Sequence, residues 1–92
     1  MKYRNKTVAV VIDVRSRLEY LFGHVPGALC IPVRKVTPEE LDRRGISRDA
    51  GILVYCASGA RSAAAFQTLK SAGFRVVDGG ALAEVRLHLR KA

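Results

Sequence analysis

The sequence predicts an α/β fold in which a parallel sheet is covered by helices on both faces. Two observations carry this. Runs of aliphatic and β-branched residues recur at Thr7 to Val14, Ala28 to Ile31, Gly51 to Tyr55 and Arg75 to Val77, and helix-forming segments stand between them. Strands buried on both faces read as near-continuous apolar runs, as Val8 to Ile12 and Ile52 to Tyr55 do. In such sheets function collects at the carboxyl ends of the strands. A chain of 92 residues lies near the lower end of the size that buries its own core, so a single domain over residues 1–92 is expected.

Taken in order, Thr7 to Val14 is predicted as the first buried strand. Ser16 to Phe22 follows as a short helix, with Leu18, Leu21 and Phe22 at helical spacing and Gly23 ending it. His24-Val25-Pro26-Gly27 is turn chemistry, and Pro32 stops the short strand Ala28 to Ile31. Thr37 caps a helix with Pro38 at its first position and Glu40 closing a capping box; it runs to Arg43 or Arg44. After the strand Gly51 to Tyr55, Ser62 is expected to cap a helix over Ala63 to Ala72. Ala65, Phe66, Leu69 and Ala72 form its apolar face and Gly73 its stop. Arg75 to Val77 reads as a strand, Asp78-Gly79-Gly80 as a turn and Ala81 to Lys91 as a final helix. The basic start, Lys2, Arg4 and Lys6, reads equally as a solvated tail.

Composition bounds the function. Hydrophobic residues at 49% and charged ones at 26% are those of an ordinary globular chain without low-complexity tracts. Cys30 and Cys56 make no disulfide framework, and no Cys/His cluster offers a metal site, so a reducing compartment fits best. Asp13 and Arg15 cut the apolar stretch Val8 to Ile12 too short for a signal-peptide core or a membrane span, and the expectation is a soluble, cytoplasmic protein. The net charge of +8 invites a nucleic-acid reading, but the basic residues are dispersed and aromatic ones few, with no stacking platform. A positive field that concentrates small anions is the more economical use. Neither a nucleic acid nor a membrane is expected as a partner.

The chemistry points to Cys56-Ala57-Ser58-Gly59-Ala60-Arg61-Ser62, between a strand and a helix. The thiolate is the nucleophile, and an adjacent helix N-terminus and cation favour it over the thiol. Gly59 accepts positive φ, while Ala57, Ser58 and Ala60 are too small to fill the bowl, so successive backbone N–H groups can face an anion. A lone cysteine ending an apolar strand is more often an inert small hydrophobe. Glycine, arginine and serine in this order after it shift the reading to a reactive one.

The same residues resemble the rhodanese-like sulfurtransferase domains from about Val10 to Gly80. Ile12-Asp13-Val14-Arg15 with Glu19-Tyr20 resembles the family's first signature, and Gly23-His24-Val25-Pro26-Gly27-Ala28 through Ile31-Pro32 its second. Val54-Tyr55-Cys56 through Gly59, Arg61 and Ser62 resembles the active-site loop, and Gly73-Phe74 with Asp78-Gly79-Gly80 the closing segment. The implied fold is three-layered, with a central parallel sheet of four to five strands. Four are expected here, because only a few residues precede Asp13. The tryptophan usual after the double glycine is absent, and Leu82 or Val85 is expected to fill its space. Cys30 stands where the family often has asparagine and is read as a buried small residue.

The resemblance implies transfer of a sulfane sulfur through a persulfide on Cys56, with no metal or organic cofactor. The donor is a small anion such as thiosulfate, and the acceptor is cyanide or a thiol, including a protein thiol. The N–H groups from Ala57 to Ser62 would stabilise the persulfide, and Arg61 would attract the donor or hold the loop. Asp13 is expected to hydrogen-bond backbone. Arg15 and Glu19 either pair at i,i+4 or, alternatively, Glu19 reaches and orients Arg61. The rival readings are a non-catalytic or protein-fed module acting as sulfur carrier or docking domain, and a cysteine-dependent phosphatase or arsenate reductase. The last is disfavoured because only Ala57 to Ala60 separate Cys56 from Arg61, one residue fewer than a phosphate cradle uses.

Overall fold

The computed structural model describes residues 1–91; the final position of the expected domain, Ala92, lies outside the described residues. Four strands form a parallel sheet in the order β4-β3-β5-β6. They are β3 (Val10–Asp13), β4 (Leu29–Cys30), β5 (Ile52–Cys56) and β6 (Val76–Ala81). Register is fixed by Val10 opposite Ile52 and Asp13 opposite Tyr55, so Asp13 and Cys56 emerge together at the carboxyl edge. The first strand is shorter than the apolar run implies. The N–H groups of Ala9 and Val10 both donate to the Gly51 carbonyl, at 2.7 and 3.1 Å, and the chain diverges before them.

What diverges is ordered. Lys2–Tyr3 (β1) and Lys6–Thr7 (β2) form a hairpin, and Leu89–Arg90 (β7) pairs antiparallel with β1. Arg4 and Asn5 turn the hairpin at φ of 47° and 71°, the left-handed pair that a tight two-residue connection requires. The basic start is therefore not a solvated tail, because Tyr3 is an apolar anchor with 2% exposure. The same pairing ends the last helix early: α4 spans Leu82–His88, not Ala81 to Lys91.

The double glycine likewise lies within a strand rather than a turn. β6 continues through Asp78, Gly79 and Gly80, with a bulge where Val54 faces Asp78 but Tyr55 faces Gly80. A Cβ on Gly79 would stand 2.7 Å from a Val85 methyl, so this bare backbone lets α4 pack onto the sheet. Val85 is fully buried there, while Leu82 is only partly covered.

The other helices are α1 (Arg17–Phe22), α2 (Pro38–Arg43) and α3 (Ala60–Ser71), with a 3₁₀ turn at Val33–Lys35. Thr37 caps α2 as expected, but the Glu40 carboxylate bonds Arg43 and Arg44 instead of closing the box. The complete capping box is on α1, where the Ser16 hydroxyl accepts from Glu19 N–H and the Glu19 carboxylate from Ser16 N–H. Gly73, at φ 89°, lets the chain leave α3 as the sequence indicates.

Alternation along β3 and β5 divides the core. Ile12, Ile52, Val54 and Cys56 face Leu41 of α2 and Ala65 and Leu69 of α3. Val11, Leu53 and Tyr55 face Val85, Tyr3 and Val25 on the other side. Both faces are covered, as a parallel sheet requires. Leu18, Leu21 and Phe22 are not part of either cluster and remain exposed, at 64%, 68% and 85%.

Candidate functional site

Cys56 is the last residue of β5 and is fully buried. Its Sγ accepts N–H groups from Gly59 at 3.0 Å and Ser62 at 3.3 Å. The curl that produces this passes through Gly59, whose φ of 111° a side chain would resist. Gly59, not Ser62, is the N-cap, and α3 starts at Ala60. Ser62 sits inside the first turn because the chain has already bent at Gly59. Its hydroxyl points back to the Gly59 carbonyl at 3.1 Å and the Gly80 carbonyl at 3.5 Å.

Burial pushes the Cys56 thiol up in pKa, but hydrogen bonds from the Ser62 hydroxyl and the N–H groups of Ser62, Gly59 and Ser58 outweigh it. The net result is a thiol below its ordinary range. A hydroxyl has one proton, so Ser62 donates either to a carbonyl or to the sulfur. A thiolate, the stronger acceptor, draws it. The 12-residue α3 adds the positive end of its dipole behind the same atom.

Arg61 is not among the groups that hydrogen-bond Sγ. Its guanidinium holds Glu19 through two parallel bonds of 2.7 and 3.0 Å, joining α3 to α1. Arg61, with help from the Ser16 N–H and hydroxyl, holds the Glu19 carboxyl down to about 2. Glu19 thus reaches Arg61, and the i,i+4 pair of Arg15 with Glu19 does not form. Arg15 turns instead to Asp13. Its Nη2 donates to Oδ2 at 2.7 Å, its Nε to both oxygens at 3.0 and 3.1 Å, and its own N–H to Oδ1 at 2.9 Å. The pair is buried, and Arg15 Nη2 also donates to the Gly23 carbonyl at 2.6 Å.

Asp13 accordingly meets backbone, as expected, but its larger partner is the Arg15 side chain, which the linear reading missed. The available signal was an acid and a base two apart at a strand's carboxyl end, where both side chains fold over one edge. His24 is structural in form: it stacks on Tyr20 at 3.7 Å, and Nδ1 lies 2.9 Å from the Tyr20 carbonyl. Cys30 is half-buried at the end of β4, a free thiol raised in pKa by burial. Among the described residues no group of His, Cys, Asp and Glu is placed to hold a metal ion.

A cysteine with a lowered pKa, cradled by N–H groups where a parallel strand meets a helix, agrees with the comparison with known families. Residues 1–83 match the family model described as "Rhodanese-like domain". The chain belongs to this family. Among solved structures, a rhodanese with anions from E. coli superposes with a TM-score of 0.73 at 30% identity, covering 82% of this chain and 88% of that one. The human single-domain sulfurtransferase TSTD1 gives 0.69 at 27% identity, covering 89% and 84%. The rhodanese-like chain also resembles longer proteins. It is 31% identical to an uncharacterized protein of Synechocystis over 87% of its own length and 45% of that protein's. It is 36% identical to a tRNA uridine(34) hydroxylase of Citrobacter koseri over 85% and 24%. This chain therefore spans less than half the length of these curated relatives.

Proposed function

We propose that the protein is a sulfurtransferase that carries a sulfane sulfur as a persulfide on Cys56. The observation that supports this most is the convergence of Gly59 and Ser62 N–H groups on Sγ in a loop that lowers the thiol pKa. The Cys56 thiolate attacks the outer sulfur of thiosulfate. That S–S bond breaks, sulfite leaves with the electron pair, and Cys56 retains the sulfur as a persulfide anion. The loop N–H groups then face the terminal sulfur as they now face Sγ. A cyanide ion attacks that sulfur to give thiocyanate and restores the thiolate; a thiol acceptor departs as its own persulfide. Each step breaks one sulfur–sulfur bond, and the residues supply position and hydrogen bonds.

The Glu19–Arg61 pair bears on the phosphatase alternative. A phosphate cradle uses its arginine as a bidentate clamp on the phosphoryl oxygens, whereas both donating nitrogens observed on Arg61 are occupied by Glu19. Arg61 is here a residue that fixes the loop. The similarity to tRNA uridine(34) hydroxylases covers only 24% of the cited one, and hydroxylation is no part of the proposal.

Thiocyanate formation from thiosulfate and cyanide tests the reading directly. Turnover by the wild type and none by Cys56→Ser supports it. No turnover by folded, reduced protein shifts the reading to a carrier loaded by another protein.

A further inference from the structure

Part of the positive charge of this chain gathers at one hollow away from the cysteine loop. A cleft of about 280 Å³ at the carboxyl end of β4 is lined by Arg17 of α1, Cys30, Lys35 of the 3₁₀ turn, and Glu40, Arg43 and Arg44 from α2 and its cap. Three elements thus bring four cations and one acid together. The Glu40 carboxylate is already shared, by Arg43 at 2.6 and 3.1 Å and by Arg44 at 2.7 Å, and these bonds hold it down to about 2. Arg44 gives it only Nε, and Arg17 and Lys35 make no ion pair among the described residues. Cations placed around one hollow repel one another, and a bound anion relieves that repulsion.

The cleft is separate from the cysteine loop. Cys56 does not line it, and β3 stands between β4 and β5, with Asp13 opposite both Cys30 and Tyr55. Two strand spacings therefore set Cys30 roughly 10 Å from the end of β5. The lining also narrows the ligand. Guanidinium forks match phosphate- and sulfate-type oxygens in pairs, and the volume lies at the lower end of small-molecule pockets. No aromatic side chain lines the cleft, so a nucleobase would find no stacking surface there.

We infer that this cleft binds a small polyanion, with two or more phosphate- or sulfate-type charges, at a site distinct from the one where thiosulfate meets Cys56. The inference does not depend on Cys56 carrying sulfur. Arg17 and Lys35 supply charge without a competing partner, and Arg43 and Arg44, positioned by Glu40, supply the opposite wall. An inorganic polyanion and a phosphorylated sugar present the same chemistry to these groups.

The test is isothermal titration calorimetry at fixed ionic strength with inorganic pyrophosphate, fructose 1,6-bisphosphate and acetate. At least one of the two polyanions is expected to bind at a single site about ten-fold or more tighter than acetate, and the tighter of the two names the source. Arg17→Gln/Lys35→Gln removes two side chains that hold no ion pair in the fold, and should weaken that binding about ten-fold. Cys30 reports the location, through alkylation of the wild-type chain followed by peptide mass mapping. The bound polyanion should slow alkylation of Cys30 about five-fold. The ratio of iodoacetate to iodoacetamide rates at Cys30, from which the thiolate fraction cancels, should fall about five-fold in the variant. No preference over acetate, equal binding by the variant, or binding that leaves Cys30 alkylation unchanged overturns the inference. So does a short oligoribonucleotide that displaces pyrophosphate and binds more tightly, which would assign the cleft to nucleic acid.

Discussion

Glu19 on α1 and Arg61 on α3 are joined by two parallel hydrogen bonds of 2.7 and 3.0 Å across 42 positions of sequence. The pair closes the ring that holds the cysteine loop. Arg61 follows the loop directly, and Glu19 also caps its own helix through Ser16. Both are about one-third exposed, so the bond acts more through geometry than through net stability.

Breaking that pair should therefore damage function more than folding. Glu19→Gln is expected to lower urea stability by only about 0.5–1 kcal/mol. It should slow persulfide formation about ten-fold, a change of about 1.4 kcal/mol in the barrier. Arg61→Glu should do worse, and Glu19→Arg/Arg61→Glu should recover part of the loss. Stopped-flow loading by thiosulfate and urea melts of the same proteins separate the two quantities.

The pH dependence of the pair follows from its direction. A carboxyl held at about 2 in the folded state, against an ordinary value near 4.5, binds its proton more weakly folded than unfolded. Its contribution is thus fully present above about pH 5 and lost as pH falls through 4.5 toward 2. Urea midpoints of the wild type and Glu19→Gln should converge across that acid window and differ by a constant amount above it.

Ser62→Ala removes the hydroxyl but keeps the N–H that bonds Sγ. The Cys56 thiol should then titrate at higher pH, and the fold should lose about 1 kcal/mol for a missing buried hydrogen bond. Iodoacetamide alkylation rates against pH read the shift directly. The wild-type profile should reach its plateau below the ordinary thiol range, and the variant's profile should move upward.

Asp13→Asn tests the buried pair. With Asp13 fully buried and Arg15 nearly so, the substitution leaves a guanidinium without its counter-charge, at a cost of about 3–5 kcal/mol. Chemical denaturation should show a loss of that size, much larger than for Glu19→Gln.

Gly51→Ala should also destabilise the fold, for a different reason. A Cβ there would lie 2.1 Å from the Thr7 carbonyl oxygen, so backbone must move where the amino-terminal hairpin leaves the main sheet. The expected loss is about 1–3 kcal/mol or more, read by thermal or urea unfolding.

The parallel sheet and the cysteine loop were legible in the sequence because local signals carry them: buried β-branched runs, glycine at Gly59 and small residues beside Cys56. Glu19 reaching Arg61 was legible only as one of two options, since spacing alone pairs Arg15 with Glu19. Three-dimensional competition decided it, with Asp13 taking Arg15 at the strand end. The antiparallel sheet of β1, β2 and β7 was illegible for the same kind of reason. It joins the two ends of the chain through pairs such as Lys2 with Arg90, and two-residue strands leave no periodicity to read. The double glycine misled because its local chemistry is that of a turn, whereas packing of Val85 against Gly79 makes it a bulged strand. Ser62 misled as a cap because Gly59 bends the chain one turn earlier.

The most direct test is the intact mass of reduced protein after thiosulfate, and again after cyanide, with Cys56→Ser alongside. A gain of about 32 Da that cyanide removes and the variant never shows is the predicted result, one sulfur held on one cysteine. A folded, reduced protein that gains nothing, or gains the same mass without Cys56, would contradict a persulfide at this site.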